Sequence, residues 1–185
     1  LAGICADCQA QIIIAEKSLA KVEARLNASL TPMQVQWLFV DANSVSNLGA
    51  SFSAQPILSG AALLQYTSGS TGQPKGVMLS HDNLLSNSAV LDQRLGATGR
   101  ATIGISWLPP YHDMGLMGAL LLSVYSGFTL YIMSPAHFVQ RPLRWLKAIS
   151  EYGISTSVAP NFALDLCVSS IHSDDLADLN LSSLR

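Results

Sequence analysis

The chain has 185 residues, enough for one domain with its own core. Its hydrophobic share is 49% and its charged share only 12%, against about a quarter charged in an ordinary soluble domain. A formal charge of -2 with no cluster of Lys or Arg argues against a nucleic-acid-binding face, and leaves either a membrane protein or a piece whose neighbours cover much of its surface.

The chain opens Leu1-Ala2-Gly3, without Met and without the basic start of a signal peptide, so it reads as an excerpt. Cys5 and Cys8 form a single C-x-x-C with no second pair and no His at ligand spacing. They are expected to be small apolar residues on a short helix, with no metal bound. Together with Cys167 they show no disulfide pattern, which suits a reducing cytoplasm.

Ile12 to Ile14 predicts a strand. Glu16 to Ala28, with Leu19, Val22 and Leu26 at spacings of three and four, predicts a helix. Trp37 to Val40 is a second strand. Residues 41–60, rich in Ser, Asn, Gly and Ala, read as a loop. Ala61 to Tyr66 is a strand, followed by a polar, glycine-rich stretch and by apolar Val77 to Leu79. Asp82 is placed to cap a helix with Leu84, Leu91 and Leu95 inward, stopping at Gly96.

Thr102 to Trp107 is a strand running into Pro109-Pro110. Residues 114–140 lack Asp, Glu, Lys and Arg, long enough to span a bilayer. Ser126-Gly127 and Pro135 interrupt the run, so it reads instead as a buried helix to Tyr125 and a buried strand over Phe128 to Met133. Pro142 opens a helix that buries Leu143, Leu146 and Ile149 and ends at Gly153. Ile154 to Val158 is a strand, and Asn161 is placed to cap a last helix through Phe162, Leu166 and Val168. Strands alternating with helices predict an α/β domain with a largely parallel sheet. The strands around Ile105, Leu130 and Ile154 are expected to be buried on both faces.

The densest chemistry lies from Tyr66 to Val77, which reads Tyr-Thr-Ser-Gly-Ser-Thr-Gly-Gln-Pro-Lys-Gly-Val. Glycines let a backbone approach a ligand and present its N–H groups, hydroxyls donate to phosphate oxygens, and Lys75 adds a positive charge. The order departs from the common P-loop, because Pro74 precedes the lysine and Gly76 follows it. Apolar residues on both flanks predict strand–loop–strand, with phosphate held by the loop and not by a helix N-terminus.

That string is similar to the signature of the adenylate-forming superfamily. The resemblance implies that Thr67, Ser68, Gly69, Ser70, Thr71, Gly72 and Lys75 grip the β- and γ-phosphates of ATP. A second string, Ser106 to Leu116, reads Ser-Trp-Leu-Pro-Pro-Tyr-His-Asp-Met-Gly-Leu. Taken alone, Asp113 is placed to cap a helix and His112 to be a structural hydrogen-bonding residue. The wording resembles the fatty-acyl-AMP ligase branch, as do Met133 to Leu146 and Ala159 to Cys167, although relatives often carry Gly where Ala159 stands.

The resemblance implies part of the large N-terminal domain of an adenylate-forming enzyme over residues 1–185, with the C-terminal domain absent. His112 and Asp113 would stand at the carboxylate end of the acyl pocket, and Asn161 and Phe162 would line its tunnel. For Phe162 plain core packing is nearly as good a reading. The implied substrates are a fatty acid and ATP with Mg²⁺, and the implied acceptor is the phosphopantetheine arm of an acyl carrier protein, as in polyketide synthesis. Coenzyme A as acceptor, and an inert nucleotide-binding fragment, stay open as alternatives. The adenine, ribose and Mg²⁺ contacts and the catalytic lysine of relatives find no match in this chain.

Overall fold

The computed structural model describes residues 1–30, 35–41, 60–67, 75–98 and 101–185. It divides into two compact units, Leu1–His81 and Asp82–Arg185. The loop expected over 41–60 lies almost entirely outside the described residues.

The first unit begins with helix α1 (Ala2–Asp7), which buries Cys5 and is closed by Cys8. All three cysteines are free. Strands β1 (Ile12–Glu16) and β2 (Gln36–Val40) pair in parallel, Ile12 opposite Gln36 and Glu16 opposite Val40. The helix expected between them is a 3₁₀ stretch (Lys17–Val22) followed by helix α2 (Glu23–Leu30). Trp37 stacks on Phe39 and donates its indole N–H to Asn27 at 2.7 Å, fixing α2 against β2.

Strands β3 (Ala61–Thr67) and β4 (Lys75–Ser80) are antiparallel, with Tyr66 opposite Gly76 and Thr67 opposite Lys75. The strands expected on both sides of the glycine-rich stretch are therefore present, while residues 68–74 lie outside the described residues.

The second unit opens on helix α3 (His81–Leu95). The helix starts at His81, so Asp82 lies inside its first turn, where a carboxylate complements the helix dipole. Its buried position is Ser88, while Leu95 is exposed. Gly96 takes the expected left-handed conformation, φ 59°.

Asp92 anchors this end of α3 by accepting from Thr98 N at 2.9 Å and Thr98 Oγ1 at 2.8 Å. The nearby Ser126 hydroxyl and these Thr98 contacts hold its carboxyl below the usual aspartate range, against the opposing push of burial. Ser126 Oγ makes no bond of hydrogen-bonding geometry among the described residues, so the Thr98 contacts carry the anchor. A lowered folded-state pKa adds stability above the unfolded aspartate pKa and loses it as pH falls through the folded value. The melting-temperature gap between wild type and Asp92→Asn should therefore close as pH drops below the ordinary carboxylate range. A gap independent of pH would exclude this anchor.

Strand β5 (Ile103–Ser106) is central in a parallel sheet of order β6-β5-β7, with β6 (Thr129–Ile132) and β7 (Thr156–Ser157) on its flanks. Between β5 and β6 runs a continuous helix of three segments: α4 (Asp113–Gly115), a π-helical stretch (Leu116–Leu121) and α5 (Leu122–Ser126), closed by Gly127 at φ 69°. Among the described residues, no helix is long and apolar enough to cross a membrane.

Ile105 and Ile154 are buried as expected, but β6 is not, with Ile132 66% exposed. β6 is an edge strand of the described sheet, and an edge has a neighbour on one side only. Past β6, Ser134 caps helix α6 (Pro135–Gln140), accepting from His137 N, with Pro135 at its first position. Sequence reading took Pro135 only as a stop.

Helix α7 (Leu143–Tyr152) buries Leu143, Trp145 and Ile149 and ends at Gly153. Helix α8 (Asn161–Ser170) starts one residue earlier than a cap at Asn161 would require. Pro160 holds the N-cap position, and Asn161 makes no capping bond. A proline fits there because the cap residue has extended backbone, φ -72° and ψ 158°. The core joins Ile105, Trp107, Leu108, Phe138, Trp145, Ile149, Ile154, Ala163 and Cys167. Trp145 Nε1 donates to Ser157 Oγ at 3.1 Å, and Ser157 donates on to Ile105 O at 2.8 Å, tying α7 through β7 to β5.

Candidate functional site

The candidate residues fall on both units. In the first, Thr67 and Lys75 face each other as the last rung of the β3–β4 hairpin. Ser68, Gly69, Ser70, Thr71 and Gly72 lie outside the described residues. Lys75 is exposed at the start of β4 and has no ion-pair partner among the described residues, which leaves its charge for an anionic ligand.

One rung inward, the ring of Tyr66 lies across Gly76. A Cβ built there would come 3.0 Å from Tyr66 Cζ, so any larger residue after Lys75 would press on the ring. Tyr66 Oη donates to Asp7 Oδ2 at 2.5 Å. Neither Tyr66 nor Gly76 was singled out from sequence as a site residue.

In the second unit, β5 delivers Ser106 and Trp107 into the turn that carries His112. Leu108 N donates to Ser106 Oγ at 3.2 Å and His112 N to Pro109 O at 3.1 Å. His112 is the N-cap of α4 and is exposed with Asp113. Met114 N–H reaches both Asp113 Oδ1 at 2.6 Å and His112 Nδ1 at 3.3 Å, while His112 Nδ1 lies 2.6 Å from Asp113 Oδ1. Met114 N thus donates both to the Asp113 carboxylate and to the His112 ring, and the two exposed side chains cap the helix together.

Gly115 makes this turn possible. It is buried, and a Cβ at its position would lie 2.2 Å from Pro109 O and 2.9 Å from Pro109 C. Its backbone is ordinary helix, φ -72° and ψ -40°, so the requirement is space and not torsion.

Asn161 and Phe162 are both exposed at the start of α8, and Phe162 remains 53% exposed. The Phe162 ring meets Trp107 edge-on at 5.9 Å. Trp107 is stacked on Phe138 at 4.0 Å and touches Trp145 edge-on at 6.4 Å. The buried indole N–H of Trp107 has no hydrogen-bond partner among the described residues. Phe162 is therefore half core contact and half open apolar surface. An apolar cavity of about 20 Å³ lies between β5, β7 and the helix over 113–126, lined by Ser106, Gly118, Ala119 and Leu122 among others. It holds one water-sized group and no acyl chain.

Among the described residues, the hairpin brings a hydroxyl and a cation together, Thr67 opposite Lys75. Among the described residues, no three His, Cys, Asp or Glu side chains gather at a metal-sized site. Mg²⁺ on a nucleotide takes much of its coordination from phosphate oxygens and water, so a complete protein cage is not required.

Comparison with known proteins agrees in fold. The model of the AMP-binding enzyme family matches residues 1–185. A medium-chain-fatty-acid–[acyl-carrier-protein] ligase of Teredinibacter turnerae is 45% identical over 122 residues, 66% of this chain and 19% of that protein. A 4-hydroxyphenylalkanoate adenylyltransferase of Mycobacterium marinum is 37% identical over 175 residues, 94% of this chain and 28% of that protein. The crystal structure of a fatty acyl-adenylate ligase from L. pneumophila, in complex with acyl adenylate and pyrophosphate, superposes with a TM-score of 0.78. It shares 37% identity and covers 99% of this chain and 31% of that one. The chain thus spans less than a third of the length of each.

Proposed function

The chain belongs to the AMP-binding enzyme family, and from that premise we propose that its protein activates a fatty acid as the acyl-adenylate and passes it to an acyl carrier protein. The observation that carries this reading is the hairpin closed by Thr67 and Lys75. It stands in a chain 45% identical over 122 residues to a ligase named for a fatty acid and a carrier protein.

In the proposed reaction, a carboxylate oxygen of the fatty acid bonds to the α-phosphorus of ATP. The bond from that phosphorus to the bridging oxygen breaks, and pyrophosphate leaves. The carboxylate is already ionised, so no general base is needed. Catalysis is positioning together with stabilisation of charge on the leaving group. Lys75, Thr67 and the hairpin residues Ser68, Gly69, Ser70, Thr71 and Gly72 hold the departing phosphates. Mg²⁺, when bound with ATP, shares their charge.

His112, oriented by Asp113, presents its imidazole ring at the carboxylate end of the acyl site. Asn161 and the open face of Phe162 contribute to the acyl wall. The thiol of the carrier's phosphopantetheine arm then bonds to the acyl carbon, the bond from that carbon to the AMP phosphate oxygen breaks, AMP leaves and the thiol proton passes to solvent, the reaction that feeds polyketide-type assembly. Three free thiols suit a cytoplasmic setting.

The experiment is to give the full-length protein ATP, Mg²⁺ and a labelled fatty acid, with coenzyme A in half of the samples, and to separate the products. Acyl-AMP should accumulate in both halves. Ready formation of acyl-CoA would replace the carrier-protein acceptor with coenzyme A. If neither product forms, the fatty-acid reading falls.

A further inference from the structure

We propose that Tyr66 and Asp7 are positioning residues for the phosphate-binding hairpin, holding its mouth to α1 so that Thr67 and Lys75 meet ATP in one geometry. The inference rests on the function proposed above and extends it to residues outside the loop.

The path is continuous within the first unit. α1 is seated by buried Cys5, and its exit runs through Ala10 N to Cys5 O at 3.0 Å and Gln36 N to Gln11 O at 2.9 Å into the parallel β1–β2 pair. Asp7, the last residue of α1, is therefore attached to a fixed support. Its carboxylate accepts the Tyr66 hydroxyl at 2.5 Å, a bond between residues 59 apart in sequence. The Tyr66 ring in turn lies on the backbone of Gly76, one rung from the Thr67–Lys75 pair.

The proton stays on the phenol. The Tyr66 pKa is held well above the usual tyrosine value, first by the bond to Asp7, then by burial, the Asp7 charge and the neighbouring Cys8. The link is thus a charge-assisted hydrogen bond across the physiological range.

A hairpin of two strands is marginal by itself and free to twist. Lys75 sits on the last rung of the hairpin, beside the connecting residues, where a small rotation of that rung swings the long side chain and its ammonium. Fixing the adjacent rung narrows that spread before ATP arrives, and preorganisation of this kind appears in nucleotide affinity. The acyl site gains nothing from it. A tether that only stabilised the fold would lower the melting temperature and leave the affinity for nucleotide and for acid unchanged in the folded fraction.

The test uses the full-length protein with Tyr66→Phe, Asp7→Asn and the double variant. MgATP affinity is measured by calorimetry without fatty acid, and KM for ATP and for acid by pyrophosphate exchange. Tyr66→Phe should weaken MgATP binding and raise KM for ATP about tenfold, with KM for the acid unchanged. Asp7→Asn keeps an acceptor oxygen and should fall between wild type and Tyr66→Phe. The double variant should be no worse than Tyr66→Phe alone, because the two act through one bond.

Unchanged MgATP affinity in folded Tyr66→Phe overturns the proposal, as does an equal rise in both KM values. If Tyr66→Phe does not fold, Asp7→Asn decides by the same readings. If no fatty acid supports exchange in the wild type, the acyl substrate is wrong, while calorimetry still decides whether Tyr66 and Asp7 position the hairpin.

Discussion

Gly115→Ala should destabilise the second unit by about 2–3 kcal/mol, the upper part of the range for forcing an extra methyl into packed structure. The added Cβ would stand 2.2 Å from Pro109 O and 3.2 Å from Leu108 O. Both obstacles are backbone, so no side-chain rotation relieves them. Either α4 moves away from the Pro109-Pro110 turn or the turn itself shifts. His112 loses its setting in both cases, since its N–H is bonded to Pro109 O and its carbonyl to Leu116 N.

Gly118 supplies the internal control. It lies three residues along the same continuous helix, and a Cβ there meets nothing within 4 Å. Gly118→Ala should stabilise by about 0.5–1 kcal/mol, the ordinary gain from removing a glycine from a helix interior. Thermal unfolding of the two variants checks the pair. Equal behaviour at positions 115 and 118 would mean that the close approach to Pro109 does not constrain the turn. Acyl-adenylate formation should fall in Gly115→Ala even well below its melting temperature, because the imidazole is displaced and not merely loosened.

This contrast marks what the sequence could reveal. Local pattern was enough for β1 through β4, because each holds a short apolar run bounded by polar or glycine residues, and for β5, which runs into Pro109-Pro110. It was enough for the hairpin too, because Val77 to Leu79 follow Gly76 too closely to leave room for a helix. The ends of α3, α7 and the helix over 113–126 were legible because Gly96, Gly153 and Gly127 stand where the chain turns left-handed.

What stayed hidden depends on partners remote in sequence. Gly115 is one glycine of thirteen, and only the return of Pro109 beside it makes it indispensable. The Tyr66–Asp7 bond joins residues 59 positions apart, and neither residue type announces the other. The exposure of β6 follows from its place at the edge of the described sheet, which strand pattern alone does not encode. Helix α6 was missed for a local reason. Ser134-Pro135 carries a cap and a first-turn proline at once, and sequence reading gave the proline its other meaning, a stop.

Lys75→Ala in the full-length protein should reduce fatty-acid-dependent pyrophosphate release by about two to three orders of magnitude, the loss seen when a preorganised stabiliser of developing charge is removed. Stability should stay within about 0.5 kcal/mol of wild type, as for an exposed side chain with no ion pair among the described residues.

The two readouts separate because the backbone of Lys75 pairs with Thr67, and alanine keeps that rung. Lys75→Arg should recover part of the rate and not all of it. It restores the charge, but a planar fork cannot occupy the position of a compact ammonium. The loss should appear in both kcat and kcat/KM, because the charge on pyrophosphate grows as the bond to the α-phosphorus breaks. A change confined to KM for ATP would make Lys75 a ground-state anchor only. Unchanged pyrophosphate release would remove the hairpin from the reaction, and with it the observation on which the fatty-acid-activating reading stands.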